Sequence, residues 1–176
     1  MRWIRIIGVL ILAALIQGAV LPAVEIGRAR PELLLLLALY IAAHERPGRG
    51  SRWGAFWIGW IAGFLQDIHL TGVVLPFGTT ALVYGALALA LHRLGTELFL
   101  DSILAQILIL LPAVLVARVV LALVLVVVSA APAGPALALA WRASFYSALV
   151  APLVFLALRP LERFLLAPSQ RTFSRA

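Results

Sequence analysis

From Ile6 to Leu158 the chain reads as a succession of apolar runs almost free of charge, with nearly all its arginines at the ends of the runs or in the short segments between and beyond them. Such a run has few ways to fold. A helix needs ~20 apolar residues to cross a hydrocarbon core of ~30 Å, and only a helix or a closed barrel pairs its own backbone there. Of 176 residues, 64% are hydrophobic and 12% charged, where a soluble domain averages ~45–50% and ~25%. Too little polar surface remains to cover a fold in water. The expectation is an all-α, polytopic membrane protein: one transmembrane domain over residues 1–176.

Six spans are predicted, over residues 6–21, 31–46, 53–70, 75–94, 103–128 and 141–158. Arg2 and Arg5 precede the first, which resembles a signal peptide, but no A-x-A cleavage site follows, so it reads as a retained helix. The second is the shortest. It opens on Pro31-Glu32, which suits a helix start, because proline lacks an N–H not needed there and a carboxylate faces the positive dipole end. It reaches a spanning length only if the tips of His44 to Arg46 snorkel. The turn-rich stretch from Ala130 to Pro135 separates the fifth span from the sixth, and residues 165–176 read as a flexible tail.

Arginine sets the orientation, because cytoplasmic loops retain positive charge. With six spans and both termini inside, the cytoplasmic side holds Arg2, Arg5, Arg46, Arg49, Arg52, Arg93, Arg159, Arg163, Arg171 and Arg175. The outside holds Arg28, Arg30 and Arg142, and Arg118 lies within the fifth span. A five-span chain with its N-terminus outside scores equally well. Arg2 and Arg5 favour six spans, since translocating them is costly. The net charge of +7 thereby has a topological cause and requires no nucleic acid.

The third span carries the most information. At ~100° per residue, Trp53, Trp57, Trp60 and Phe64 fall on one stripe, and Ala55, Gly59, Ala62, Gly63 and Gln66 on the opposite side. Gly59-x-x-x-Gly63 lets another helix backbone approach closely. The aromatic stripe then faces lipid or a partner. Near the end of this helix stands Asp67, costly in hydrocarbon unless paired or near water. Arg118 is the other charge deep within a span, at a similar depth. The expectation is an Asp67–Arg118 pair, or a shared network with Gln66 or His69. Arginine stays protonated, so the pair reads as structural rather than as a proton relay.

Chemistry-bearing constellations are otherwise missing. Cysteine is absent, which removes disulfides, zinc-thiolate sites and cysteine nucleophiles. His44, His69 and His92 show no metal-ligand spacing, and no nucleophile elbow, phosphate loop or carboxylate pair occurs. The reading is a non-enzymatic chain without metal or cofactor.

Two strings resemble the MreD family of rod shape-determining membrane proteins. One is Arg30-Pro31-Glu32 followed by five leucines. The other is Gly59-Trp60-Ile61-Ala62-Gly63-Phe64-Leu65-Gln66-Asp67, followed by Gly72 and Gly78. The resemblance covers Pro31 to about Tyr84. It departs where members often carry three leucines before the acid and this chain has Phe64-Leu65-Gln66. It implies a scaffold of the cell-elongation complex in the bacterial inner membrane, binding the single-span protein MreC. It further implies an assembly linking MreB filaments to RodA and the elongation transpeptidase, and thus a part in peptidoglycan synthesis and cell shape. It also implies the six-helix architecture of the substrate-binding component of energy-coupling-factor transporters.

The aromatic stripe of the third span is then the expected surface for the MreC transmembrane helix. The competing reading is a vitamin-type transporter component, which should enclose a pocket with several polar groups. Its outer loops offer Glu25, Arg28, Arg30, His69 and Thr71. A channel ranks last, because no span repeats polar residues along one face.

Overall fold

A computed structural model describes residues 2–20, 31–44, 53–69, 75–94, 103–129 and 132–166. Among them are six α-helices and no strand: α1 (Arg2–Val20), α2 (Leu33–His44), α3 (Gly54–His69), α4 (Thr79–Leu94), α5 (Ile103–Ser129) and α6 (Ala133–Leu166). Two of them, across Ile107–Ser129 and Ala133–Leu158, are long and apolar enough to cross a membrane. Shorter apolar helices cover Trp3–Ala19 and Leu33–His44.

The last helix departs from the sequence reading. It starts at Ala133, inside the stretch expected to be a turn, and continues to Leu166. Pro135 falls in its first turn, where no intrahelical bond requires its N–H, so the residue that looked like a breaker is tolerated. Residues 167–176, most of the expected flexible tail, lie outside the described residues.

Packing is organised around α2. Every residue from Leu34 to Ala43 is buried, as expected of a helix that is apolar on all sides and must therefore be covered on all sides. Helices α1, α3, α4 and α6 pack on it. They also contact one another in sequence around it, α1 to α3, α3 to α4, α4 to α5, α5 to α6 and α6 back to α1. Five helices thus form a ring about a sixth.

The covering helices turn narrow stripes inward. On α1, Ile6, Leu10 and Ala14 are buried at helical spacing, while Ile4, Leu12 and Leu15 face outward and are more than half exposed. On α6 the inner stripe is small, with Ala140, Ala143, Ser144, Ser147, Ala148 and Ala151 ahead of Phe155. Its outer face presents Leu149, Leu153 and Leu156. A periphery this apolar is the reverse of a water-soluble surface.

The two termini of α2 are held differently. At its C-terminal end, His92 of α4 donates through Nδ1 to the carbonyl of Ala42 at 3.1 Å, and His44 to that of Tyr40 at 2.8 Å. The first satisfies a carbonyl that the helix leaves open, and the second adds a bond within its last turn. At the N-terminal end, Glu32 contacts Arg118 and Ser147, near the middles of the longer α5 and α6. Helix α2 therefore begins inside the bundle, while α5 and α6 continue past it.

Candidate functional site

A helix start buried in an apolar bundle must have its free N–H groups satisfied. Proline at 31 has none to satisfy. The N–H of Glu32 donates to Ser147 Oγ at 3.2 Å, and that of Leu34 to Gln17 Oε1 at 3.0 Å. Gln17 continues the inward stripe of α1 by one more step, and its Nε2 donates to Gln66 Oε1 of α3 at 2.5 Å. The carbonyl of Glu32 accepts from Leu36 at 3.0 Å, which closes the first turn. Two helices thereby cap a third, and α3 holds one of the capping side chains in place.

The Glu32 side chain turns away from its own helix. Its Oε1 lies 2.9 Å from Arg118 Nη2, with the carboxylate 5% and the guanidinium 24% exposed. Tyr84 of α4, fully buried, lies within electrostatic range of both Glu32 and Arg118. Thr80, one turn earlier on the same helix, is fully buried as well. A layer of polar groups from all six helices therefore crosses the bundle at the level where α2 begins.

The expected Asp67–Arg118 pair requires correction. Arg118 meets Glu32, and Asp67 instead caps α4. Asp67 Oδ2 accepts the N–H of Gly78 at 2.9 Å and that of Ala81 at 3.4 Å. The physical reason lies in the reversal between α3 and α4. Gly78 adopts a φ of +92°, open to glycine at little cost, and this sets the first turn of α4 against the last turn of α3. A carboxylate at that point meets the free N–H groups and the positive dipole end. Gln66, expected in the same network, bonds Gln17 instead, and the side chain of His69 lies outside the described residues.

Sequence reasoning missed Glu32, which it took for a residue at a helix mouth. The signal was present, however. A helix with no polar side must be central, so a carboxylate at its start is interior and needs a cation.

The small residues of α3 face α4. A Cβ on Gly63 would stand 2.5 Å from Ala81 Cα and from the Thr80 carbonyl oxygen. One on Gly59 would stand 2.8 Å from Ala88 Cβ and closer still to the Tyr84 carbonyl. Such distances leave room for hydrogen alone. From the α4 side, Gly85 makes the matching space for the Phe56 ring, 2.8 Å from its own hypothetical Cβ.

The opposite face carries Trp53, Trp57, Trp60 and Phe64 as one ladder. Trp57 and Trp60 meet edge to face with centroids 5.7 Å apart, and Trp60 stacks on Phe64 at 5.3 Å with an 18° interplanar angle. Phe56 joins Trp53 to Trp57, and Phe77, just before α4, extends the ladder beyond Phe64. Trp53 and Phe77 are both more than half exposed, and Trp57 nearly half. Each ring is held by its neighbours, so this surface is stiff as well as apolar.

Among the described residues, no group of three His, Asp or Glu side chains stands where it could hold a metal. The chemistry available is hydrogen bonding in the interior and apolar contact along α3.

Compared with known proteins, the chain is matched over residues 1–164 by the model of one family, described as rod shape-determining protein MreD. No curated protein and no solved structure matches it.

Proposed function

This chain belongs to the MreD family of rod shape-determining membrane proteins, and from that membership we propose that it is a non-catalytic scaffold of the bacterial cell-elongation complex, holding MreC through the aromatic face of α3. In this reading all six helices lie in the inner membrane with both termini cytoplasmic, and the basic inner loops face MreB. RodA and the elongation transpeptidase belong to the same assembly, so the chain acts on peptidoglycan synthesis through its partners.

The observation that supports this most is the ladder from Trp53 to Phe77. Aromatics that serve only as anchors concentrate at the two membrane interfaces. This series runs the length of α3 instead, on a helix whose other side is committed to α4. Large, rigid aromatic surfaces bind with little loss of side-chain entropy, which suits recognition of one apolar helix.

Photocrosslinking from Trp57 and Phe64 in cells tests the proposal. Adducts to the MreC transmembrane segment are expected from both positions. Adducts confined to probes on α6 would assign that face to MreC and remove α3 from the interface.

The transporter reading draws support only from the buried polar layer. Most of that layer is engaged internally: Gln17 with Gln66 and Leu34, Asp67 with the start of α4, Ser147 with Glu32, and Glu32 with Arg118. Little is left to recognise a vitamin-sized ligand, so the scaffold reading is preferred. A stoichiometric small molecule in the purified protein would reverse that preference.

A further inference from the structure

On the side where α2 begins, the helices reach very different heights. The hydrogen-bonded layer gives a common level, because Gln17 of α1 meets Gln66 of α3 and the N–H of Leu34, while Glu32 meets Arg118 of α5 and Ser147 of α6. Past that level α1 ends at Val20 and α3 at His69, only ~5 Å further at ~1.5 Å per residue. Helix α4 starts at Thr79, beside the layer, since Asp67 accepts from Gly78 and Ala81. Helix α5 runs on to Ser129 and α6 begins at Ala133, which carries them ~16 and ~21 Å past the layer.

The opposite ends fix where the hydrocarbon lies. Along their helices, Arg5 of α1 and Arg159 of α6 both stand ~18 Å from the layer, and arginines at that level mark the interface. A core of ~30 Å then extends ~12 Å past the layer on the side where α2 begins. Helices α5 and α6 cover that distance with no charge from Val119 to Trp141. Arg142, ~8 Å past the layer, reaches the interface by extending its side chain. Helices α1, α3 and α4, which the ring order sets side by side, stop ~7 Å short of it. A helix that ends in hydrocarbon has carbonyls that lipid cannot satisfy. Asp67, partly exposed at the same level, likewise needs water or a headgroup close by.

We propose that this chain thins the bilayer along the flank formed by α1, α3 and α4, drawing the headgroups on the side where α2 begins inward by ~7 Å. Against α5 and α6 the bilayer keeps its full thickness. The partner of this flank is the lipid bilayer itself, which accommodates a short apolar surface by thinning against it. The hydrocarbon boundary around the molecule is then a wedge rather than a band of even height. The inference rests on the reading that the helices lie in the membrane.

Nitroxide labels on the full chain in phosphatidylcholine bilayers test this, with depth read by power saturation against oxygen and a water-soluble nickel chelate. The chain has no cysteine, so single cysteines place the labels. Ala19→Cys on α1 and Val120→Cys on α5 both lie ~3 Å past the layer, at exposed positions. Gly8→Cys and Leu108→Cys, on the same two helices and also exposed, lie ~14–15 Å to the other side of it. The label at Ala19 is expected to read several Å shallower than that at Val120, and those at Gly8 and Leu108 to read alike. Equal depths at Ala19 and Val120 overturn the thinning. So does a difference there accompanied by Gly8 reading deeper than Leu108 by the same amount, which means a tilted molecule in a flat bilayer. Labels open to the chelate at all four positions would strike the membrane reading itself.

Discussion

Replacing Arg118 alone by Met leaves the Glu32 carboxylate in the bundle interior without its cation. Breaking one side of a buried ion pair costs roughly 3–5 kcal/mol, whereas replacing both partners by apolar residues is often neutral. Arg118→Met is therefore expected to lower the thermal unfolding midpoint in detergent strongly, and Glu32→Met in the same chain to restore most of the loss. A double variant as unstable as Arg118→Met would show that the guanidinium is needed for something other than Glu32. Asp67→Asn should give no comparable drop, since an amide oxygen still accepts from Gly78 and asparagine caps helices about as well as aspartate. At this scale the sequence was only partly legible. That Asp67 and Arg118 needed partners followed from the cost of charge in hydrocarbon. Which partners they found did not, because that depends on the reversal at Gly78 and on how far α2 reaches into the bundle, and neither is written in residue type.

Helix α3 divides its two faces between two tasks, one sealed against α4 and one left open. On the sealed side, Gly63 allows the Thr80 carbonyl and Ala81 Cα to within 2.5 Å of where a Cβ would stand. Those are backbone atoms, which cannot rotate aside. Gly63→Val should force the helices apart and destabilise the fold by ~1–3 kcal/mol or more, measured by unfolding in detergent, while Gly8→Val, at a site with open space around it, should be nearly neutral. If the two variants behaved alike, close approach at Gly63 would not matter to stability. This division of faces was readable in advance, since Gly59, Gly63 and the aromatics differ in size and recur at helical spacing. The reach of the ladder to Phe77 was not, because Phe77 belongs to no run of α3 and joins it only through the chain reversal. The start of α6 was hidden for a related reason: Pro135 marks a break in most contexts but is compatible with a first turn.

At the scale of the whole molecule, five helices enclose a sixth, and the periphery is apolar. Helices in lipid gain no hydrophobic advantage by meeting one another, so close packing and internal hydrogen bonds hold them together. A defect in the centre should therefore weaken all the contacts made there. Leu39→Ala, fully buried on α2, is expected to cost ~2–5 kcal/mol, and Leu153→Ala, two-thirds exposed on α6, only a small fraction of that, again by detergent unfolding. Equal losses would mean that α2 is not the hub. The presence of apolar helices was plain from the sequence; their arrangement around α2 could be inferred only weakly, from its lack of any polar side. That arrangement also bears on how the chain is made. Helix α2 has 12 residues, about 18 Å at ~1.5 Å each, against the ~30 Å of a bilayer core. It leaves the ribosome before α4 and α6, two of the four helices that pack on it, have been completed. During that interval it is too short to settle across lipid alone, and its carboxylate awaits an arginine nearly half the chain away. Its final position must therefore be reached late, from a waiting state at the membrane surface or in the care of the insertion machinery, and a ribosome stalled before α4 would hold a chain whose centre has not yet been built.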